Sequence, residues 1–230
     1  MQNESQKQIA GAIILAGLII GGAILLKDSA PRTAVNNNGE ETASLNSIKI
    51  RPIGEGEHML GNKNAKLVIV EYSDTECPFC KGFHATMNKI VNETGGEVAW
   101  VYRHYPIPQL HAKAQREAEA TECAYEQGGN EAFWKYINRM FEITPSNDGL
   151  KEEELTSIAQ FVGLNTSQFY TCLESGKYES KVAADISDGV KAGVGGTPYS
   201  LVLVNGKVVD RIGGNQPIEV VRQIIESRKR

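Results

Sequence analysis

The chain has 230 residues, of which 41% are hydrophobic, so it is long enough for one sizeable core with appendages. A formal net charge of −4 and the lack of a long basic run argue against nucleic-acid binding by charge. Four cysteines are too few for a disulfide-dense scaffold.

The first predicted element is an apolar segment, residues 9–26, which reads IAGAIILAGLIIGGAILL and holds no charged side chain. As a helix it would rise about 27 Å, close to the roughly 30 Å hydrocarbon core of a bilayer. It is longer than a signal-peptide core of about 7–15 residues, and no clean A-x-A site follows it. The sequence therefore predicts a membrane anchor over residues 1–27, with a cleaved signal peptide as the alternative.

A polar stretch without helical or strand periodicity comes next, and residues 28–55 are predicted to be a flexible linker. The folded domain is then predicted at residues 56–230. Charges on the two sides of the apolar segment are nearly balanced, so the orientation is inferred from the cysteines. A domain outside the cytoplasm, in the periplasm or at the cell exterior, would let disulfides persist. No dimerisation module precedes the domain, which predicts a monomer.

The domain itself begins with a strand–helix–strand pattern. Residues 67–72, LVIVEY, are apolar and β-branched, as in a buried strand, and a helical stretch at about 77–93 and a strand at 98–105 follow. A parallel pair of strands needs such a crossover. Residues about 109–192 carry apolar stripes at helical spacing, which predicts an inserted helical block. A strand at 199–204, a hairpin turn, a strand at 207–212 and a helix at 217–227 close the chain.

Two cysteines, Cys77 and Cys80, flank Pro78 and Phe79 at the start of the first predicted helix. Pro78 suits the first turn because its missing N–H costs nothing there, and the helix N-terminus favours the Cys77 thiolate. Cys80 is one turn further in, close enough to form a disulfide with Cys77 and to resolve a mixed disulfide. The motif favours a redox pair. An inert structural disulfide, or a copper or zinc site with His84 as third ligand, is the alternative.

Glu71 and Pro198 are two further signals of a reactive site. Glu71 falls inside the buried strand, six residues before Cys77, where it could move the proton of Cys80. The alternative is a solvated glutamate at a sheet edge. Pro198 directly precedes a predicted strand, and its bond to Thr197 could be cis. The alternative is an ordinary trans-proline that ends the preceding helix.

These motifs resemble one family. The stretches EYSDTECPFC, RHYP, ATECA and GGTPYSLVLVNG are similar to those of the DsbA-like thiol–disulfide oxidoreductases of the thioredoxin superfamily. The resemblance runs from about residue 58 to the C-terminus and implies an α/β thioredoxin fold, β-α-β then β-β-α, with an inserted helical subdomain. It also implies that Cys77 is the exposed nucleophile, Cys80 the buried resolving cysteine and Glu71 the acid that assists proton transfer.

The same resemblance implies where substrate binds. Thr197, before Pro198, would contact the substrate backbone and tune the cysteine pair, and Pro78 and Phe79 would lie at the substrate-facing surface. Well-studied oxidases of the family have Pro-His between the cysteines, whereas this chain has Pro78 and Phe79. Phe79 brings no charge or donor, and Glu76 adds a like charge beside the first cysteine. Both differences predict weaker stabilisation of the thiolate.

The resemblance further implies an extracytoplasmic enzyme that forms or exchanges disulfides in secreted or envelope proteins without a cofactor. The oxidase direction would need a re-oxidising partner in the membrane. The alternatives are a disulfide reductase or isomerase, a copper- or zinc-handling protein, and a catalytically idle interaction module.

The remaining cysteines, Cys123 and Cys172, fall in the helical block about fifty residues apart. In an oxidising compartment we expect them to form a structural disulfide, which would stabilise the fold by roughly 4 kcal/mol in the chain-entropy model. The alternative is two separate buried free cysteines.

Overall fold

A computed structural model describes residues 45 and 47–229 of the chain. The strands in this part are β1 His58–Gly61, β2 Leu67–Ser73, β3 Val98–His104, β4 Tyr199–Val204 and β5 Lys207–Gly213. The helices are α1 Pro78–Glu93, α2 Ala114–Ile143, α3 Glu152–Phe161, α4 Thr166–Glu174, α5 Glu179–Lys191 and α6 Ile218–Arg228.

The predicted membrane anchor at residues 9–26 lies outside the described residues. Within residues 45 and 47–229, no helix combines the length and the apolar character that a membrane span requires.

The strands form one mixed sheet in the order β1-β3-β2-β4-β5. β2 and β3 are parallel, as the predicted crossover requires, and the other neighbouring strands are antiparallel. Alternate side chains of β2 enter two apolar clusters because a strand points its side chains to both faces of the sheet. Ile69 packs with α1 and α6 on one face, and Val70 packs on the other. This arrangement buries the middle of the sheet on both faces.

Helices α2 to α5 form a block between β3 and β4, so the fold is a thioredoxin-like α/β sheet with inserted helices. Helix α2 is interrupted at Gly128 and Gly129, where the backbone leaves the helical region. Gly129 has a φ of +62°, a conformation that glycine adopts without steric cost. The block has its own apolar cluster, which includes Tyr136, Leu155 and Phe169.

The segment before β2 differs from the sequence prediction in two ways. Strand β1 was not predicted, because its four residues, HMLG, carry no clear alternation. Part of the predicted linker is packed: Ile48, Ile50 and Ile53 lie against the apolar cluster on one sheet face. Arg51 also donates its backbone N–H to Asp188 at 2.6 Å. The boundary at residue 56 stays a prediction, but these contacts tie residues 48–53 to the domain.

Candidate active site

The two free cysteines lie where β2 gives way to α1. Cys77 is the N-cap residue of α1, and Pro78 opens the helix. Cys77 is 5% exposed and Cys80 is fully buried, whereas the Phe79 side chain between them is 63% exposed. The cysteine pair therefore lies just beneath a surface formed by Pro78 and Phe79.

The two thiols differ in acidity. The hydrogen bond from the Cys80 thiol lowers the pKa of Cys77 to about 6, and backbone N–H groups at the helix start act in the same direction against burial. Burial, together with that same hydrogen bond, raises the pKa of Cys80 well above its usual range. One sulfur is thus ionised near neutral pH while the other keeps its proton.

Glu71 lies on the same sheet face as the cysteine pair and is fully buried. The alternative of a solvated edge glutamate is therefore wrong. Burial raises the pKa of Glu71 to about 8, although the nearby Ser73 and Trp100 side chains favour its charged form. Neither the Ser73 nor the Trp100 side chain forms a hydrogen bond of ordinary geometry with the Glu71 carboxyl. Both carboxyl oxygens are without a hydrogen-bond partner among the described residues. The charge of Glu71 in turn raises the pKa of Cys80, so the two groups interact.

Hydroxyl groups surround Glu71. In the sheet register Glu71 pairs with Tyr102 of β3 on one side and with Ser200 of β4 on the other. The hydroxyls of Tyr102, Ser200 and Ser73 are buried and make no hydrogen bond within the described part of the chain. A small polar pocket therefore interrupts the apolar core close to Cys80.

The loop before β4 closes the site. The Thr197–Pro198 peptide bond is cis, so the prediction of a cis bond is confirmed and the trans alternative is wrong. The Cys77 thiol donates a hydrogen bond to the Thr197 carbonyl at 3.5 Å. Pro198 is buried, whereas Thr197 is half-buried. The structure thus brings together Cys77, Cys80, Glu71 and Thr197, although they are far apart in sequence.

Sequence reasoning missed Asp74, which lies in the turn before Cys77. Its backbone N–H donates to the Cys80 sulfur at 3.4 Å, and its carboxylate accepts the Glu76 N–H at 2.9 Å and faces His111 Nδ1 at 3.0 Å. The short acidic side chain three residues before a helix N-cap was an available signal for Asp74. No local signal connects His111 to this loop.

Glu76, predicted to repel the thiolate, is fully buried. Its carboxylate accepts the N–H of Gly149 at 3.2 Å and faces the Thr144 hydroxyl at 3.5 Å. The side chain therefore contacts the 144–149 loop.

His84 does not form a metal site with the cysteines. Its Nε2 lies 2.6 Å from the Asn138 side-chain oxygen, and its ring packs against Trp100. Burial lowers its pKa to about 4, so it is neutral at pH 7. His84 therefore packs in the core and hydrogen-bonds there.

One different set of possible metal ligands lies together within residues 45 and 47–229, namely His58, His104 and Glu122. The two imidazole Nε2 atoms lie 2.7 and 3.0 Å from the same Glu122 oxygen, and Lys181 is 3.6 Å from it. Burial opposes ionisation of Glu122, but the two histidines hold its pKa well below the usual range. These contacts satisfy the carboxylate without a metal.

The other two cysteines, Cys123 of α2 and Cys172 of α4, are joined by a disulfide, with their sulfur atoms 2.01 Å apart. Both belong to the apolar cluster of the helical block. The alternative of two free cysteines is therefore wrong.

Comparisons with known proteins agree with this geometry. Residues 54–227 match the thioredoxin family model. The crystal structure of Pseudomonas aeruginosa DsbA2 is 26% identical, with a TM-score of 0.64 over 76% of this chain and 96% of that one. A thioredoxin-like oxidoreductase from Silicibacter pomeroyi DSS-3 is also 26% identical, with a TM-score of 0.59 over 77% and 95% of the two chains.

Curated relatives are longer proteins. The Na(+)/H(+) antiporter NhaA 1 of Mycolicibacterium gilvum (strain PYR-GCK) is 31% identical over 161 residues, which is 69% of this chain and 25% of that protein. The chain thus spans about a quarter of the length of the curated relatives it matches. By its family match over residues 54–227 the chain belongs to the thioredoxin family, and its fold and cysteine pair are similar to those of DsbA-like proteins.

Proposed function

We propose that this protein donates disulfides to thiol-bearing secreted or envelope proteins through Cys77 and Cys80. The observation that carries the proposal is the unequal acidity of the two thiols, with the pKa of Cys77 lowered to about 6 and that of Cys80 raised. A stabilised Cys77 thiolate favours the reduced form of the pair. Because the reduced form is favoured, the Cys77–Cys80 disulfide is a strong oxidant of other thiols.

The reaction proceeds by two exchanges. A substrate thiolate attacks the Cys77 sulfur of the oxidised pair, the bond to Cys80 breaks, and Cys80 leaves and takes a proton. A second substrate thiolate attacks the substrate sulfur of the mixed disulfide, and Cys77 leaves as a thiolate. Two electrons pass from substrate to protein. Of the two substrate protons, one ends on Cys80 and one is released.

Glu71 is the group that we assign to proton transfer at Cys80. A carboxyl with a pKa of about 8 can give and take a proton near neutral pH. Glu71 acts electrostatically on Cys80, the cysteine that must gain a proton when it leaves and lose a proton when it attacks. The buried hydroxyls of Tyr102, Ser73 and Ser200 are further polar groups near Glu71.

Substrate contact falls to the surface around Cys77. Thr197 and Pro198 present backbone next to the Cys77 sulfur, against which an extended substrate segment can lie. Pro78 and Phe79 are exposed and supply an apolar contact. Such contacts suit unfolded or extended protein substrates, which expose both backbone and apolar side chains.

An extracytoplasmic location fits the second disulfide, since disulfides persist in oxidising compartments. We propose a monomer held at the membrane by residues 1–27 through a linker that begins at residue 28 and ends before the packed residues 48–53. A re-oxidising membrane partner would then remove the electrons that Cys77 and Cys80 collect.

The proposal is tested by titrating the full-length protein against glutathione buffers. We expect a reduction potential near −120 mV, the value typical of a disulfide donor. A value near −270 mV would instead indicate a reductase, and the proposed direction would be wrong. The Cys77→Ser variant is the control that identifies the titrating pair. If the wild-type protein shows no reversible two-electron exchange, the enzymatic proposal fails.

A further inference from the structure

The turn before Cys77 is rich in buried acidic groups. Asp74 and Glu76 belong to the turn, and Glu117 of α2 lies beside Glu76; each is at most 2% exposed. Burial, together with its contact to Glu76, raises the pKa of Glu117 to about 9, so this carboxyl is neutral at pH 7. Negative charge close to a thiolate disfavours it. A thiolate at Cys77 would therefore gain from positive charge nearby, in addition to the hydrogen bonds from Cys80 and the helix start.

Asp74 is the link between this turn and the buried sulfur. Its backbone N–H donates to the Cys80 sulfur at 3.4 Å. Its carboxylate accepts the Ile107 N–H at 2.8 Å and lies 3.0 Å from His111 Nδ1. The position of His111 therefore affects the position of the N–H that binds Cys80.

His111 is almost buried and faces two groups that can carry negative charge, Asp74 and Cys77, and the neutral amide of Asn147. Burial lowers its pKa, but the Asp74 carboxylate, the Cys77 thiolate and the Asn147 side chain raise it, and the net shift is upward. Two lysines, Lys81 of α1 and Lys113 at the N-cap of α2, donate to backbone carbonyls. Lys113 Nζ donates to the Asp148 carbonyl at 2.6 Å, and Lys81 Nζ donates to the Thr144 carbonyl at 2.6 Å.

We propose that His111, as an imidazolium, is a positioning residue that holds Asp74 against Cys80 and balances the charge of the Cys77 thiolate. It supplies the positive charge that Phe79 does not bring to the dipeptide. The inference deepens the proposed function, on which it rests, by assigning a residue that adds to the stability of the reduced pair.

The proton balance gives this role a measurable consequence. Reduction delivers two electrons and two protons from substrate thiols; Cys80 keeps one proton and Cys77 stays a thiolate. The second proton is released, and the new negative charge at Cys77 favours its uptake by whatever fraction of His111 is still neutral. By linkage, His111 binds its proton more tightly in the reduced protein than in the oxidised protein, by the same factor with which it stabilises the thiolate.

The direct test is an NMR titration of the His111 ring in oxidised and reduced full-length wild-type protein. The resonance is assigned by its loss in His111→Gln. We expect proton binding to be about tenfold tighter in the reduced state. Equal pKa values of His111 in the two states would overturn the proposal. This measurement uses the native residue, so it decides the question even if a variant fails to fold.

The second test is His111→Gln, whose amide can still donate to Asp74 but carries no charge. We expect the thiolate absorbance near 240 nm to show a roughly tenfold smaller ratio of thiolate to thiol for Cys77 at a given pH. The equilibrium constant with glutathione should fall about tenfold, which is about 30 mV for two electrons.

His84→Gln is the matched control, because His84 is also buried but neutral at pH 7. It should leave the ionisation of Cys77 unchanged. An unchanged Cys77 ionisation in His111→Gln would overturn the proposal. The ionisation measurement needs no substrate exchange, so it separates a failure of this inference from a failure of the proposed function.

Discussion

The two cysteine pairs of this protein differ in what surrounds their sulfur atoms. Cys77 and Cys80 also belong to an apolar cluster, but Cys77 lies at the start of α1, where the Cys80 thiol and backbone N–H groups lower its pKa. Cys123 and Cys172 lie 49 residues apart in an apolar cluster of the helical block. A thiolate forms only where donors or positive charge stabilise it. The surroundings therefore separate a reacting pair from a structural one.

Removal of the reactive sulfur should have the largest effect. We expect Cys77→Ser to lower the rate of dithiol-peptide oxidation by more than about 10³-fold, because the pair can no longer form its disulfide. Cys80→Ser should instead accumulate a mixed disulfide at Cys77, since the resolving thiol is absent. Mass spectrometry of the protein after incubation with a peptide disulfide detects this adduct. Sustained turnover by Cys80→Ser would show that Cys80 does not resolve.

Removal of the Cys123–Cys172 disulfide should lower the stability of the fold rather than its exchange activity. The double variant Cys123→Ser/Cys172→Ser should lose about 2–4 kcal/mol of unfolding free energy, because the unfolded chain regains the freedom that the cross-link removed. Urea denaturation measures this loss. Dithiol oxidation by the folded variant should stay within about twofold of wild type. A folded variant that has lost exchange activity would contradict the division of roles between the pairs.

Glu71 adds a further difference between the two cysteine pairs, because this buried acid lies near Cys77 and Cys80 and not near the disulfide. Its pKa of about 8 in the folded protein exceeds the ordinary value of 4.5. The folded state thus holds the proton more tightly, so this contribution to stability is present below about pH 4.5 and is lost as pH rises to about 8. Glu71→Gln should therefore be more stable than wild type at pH 8, by on the order of 3 kcal/mol.

Glu71→Gln should also exchange disulfides about 10²-fold more slowly, because Cys80 loses the group that gives it a proton and takes that proton back. Glu117→Gln is the matched control, since Glu117 is also a buried acid with a raised pKa. It should gain stability at high pH without the loss of rate. Equal rates in Glu71→Gln and wild type would leave Glu71 without a role in proton transfer.

The sequence predicted the parts of the site that local rules determine. A cysteine followed by proline at a helix start is a local pattern, and so is the glutamate inside LVIVEY. Strand β1 was missed because its formation depends on pairing with β3, about forty residues later. His111 could not be connected with Cys80 from the sequence, because the connection runs through an Asp74 contact that only the folded chain creates.

The smallest predicted effect concerns Phe79, which separates the reactive cysteines. Phe79→His places a donor and a partial positive charge near Cys77, so it should lower the pKa of Cys77 further below about 6. Because the side chain is 63% exposed, water screens this charge, and we expect a change of less than tenfold in the ionisation constant. Thiolate absorbance measures it.

The double variant Phe79→His/His111→Gln tests which side chain supplies the positive charge near the Cys77 thiolate. If a buried imidazolium balances the thiolate, Phe79→His should restore only part of the ionisation that His111→Gln removes, because an exposed charge acts through water. Full restoration would mean that charge between the cysteines and charge in the buried loop are interchangeable. A Phe79→His effect larger than that of His111→Gln would mean that the dipeptide sets the thiolate. The burial of His111 and Asp74 would then have no special electrostatic consequence for Cys77.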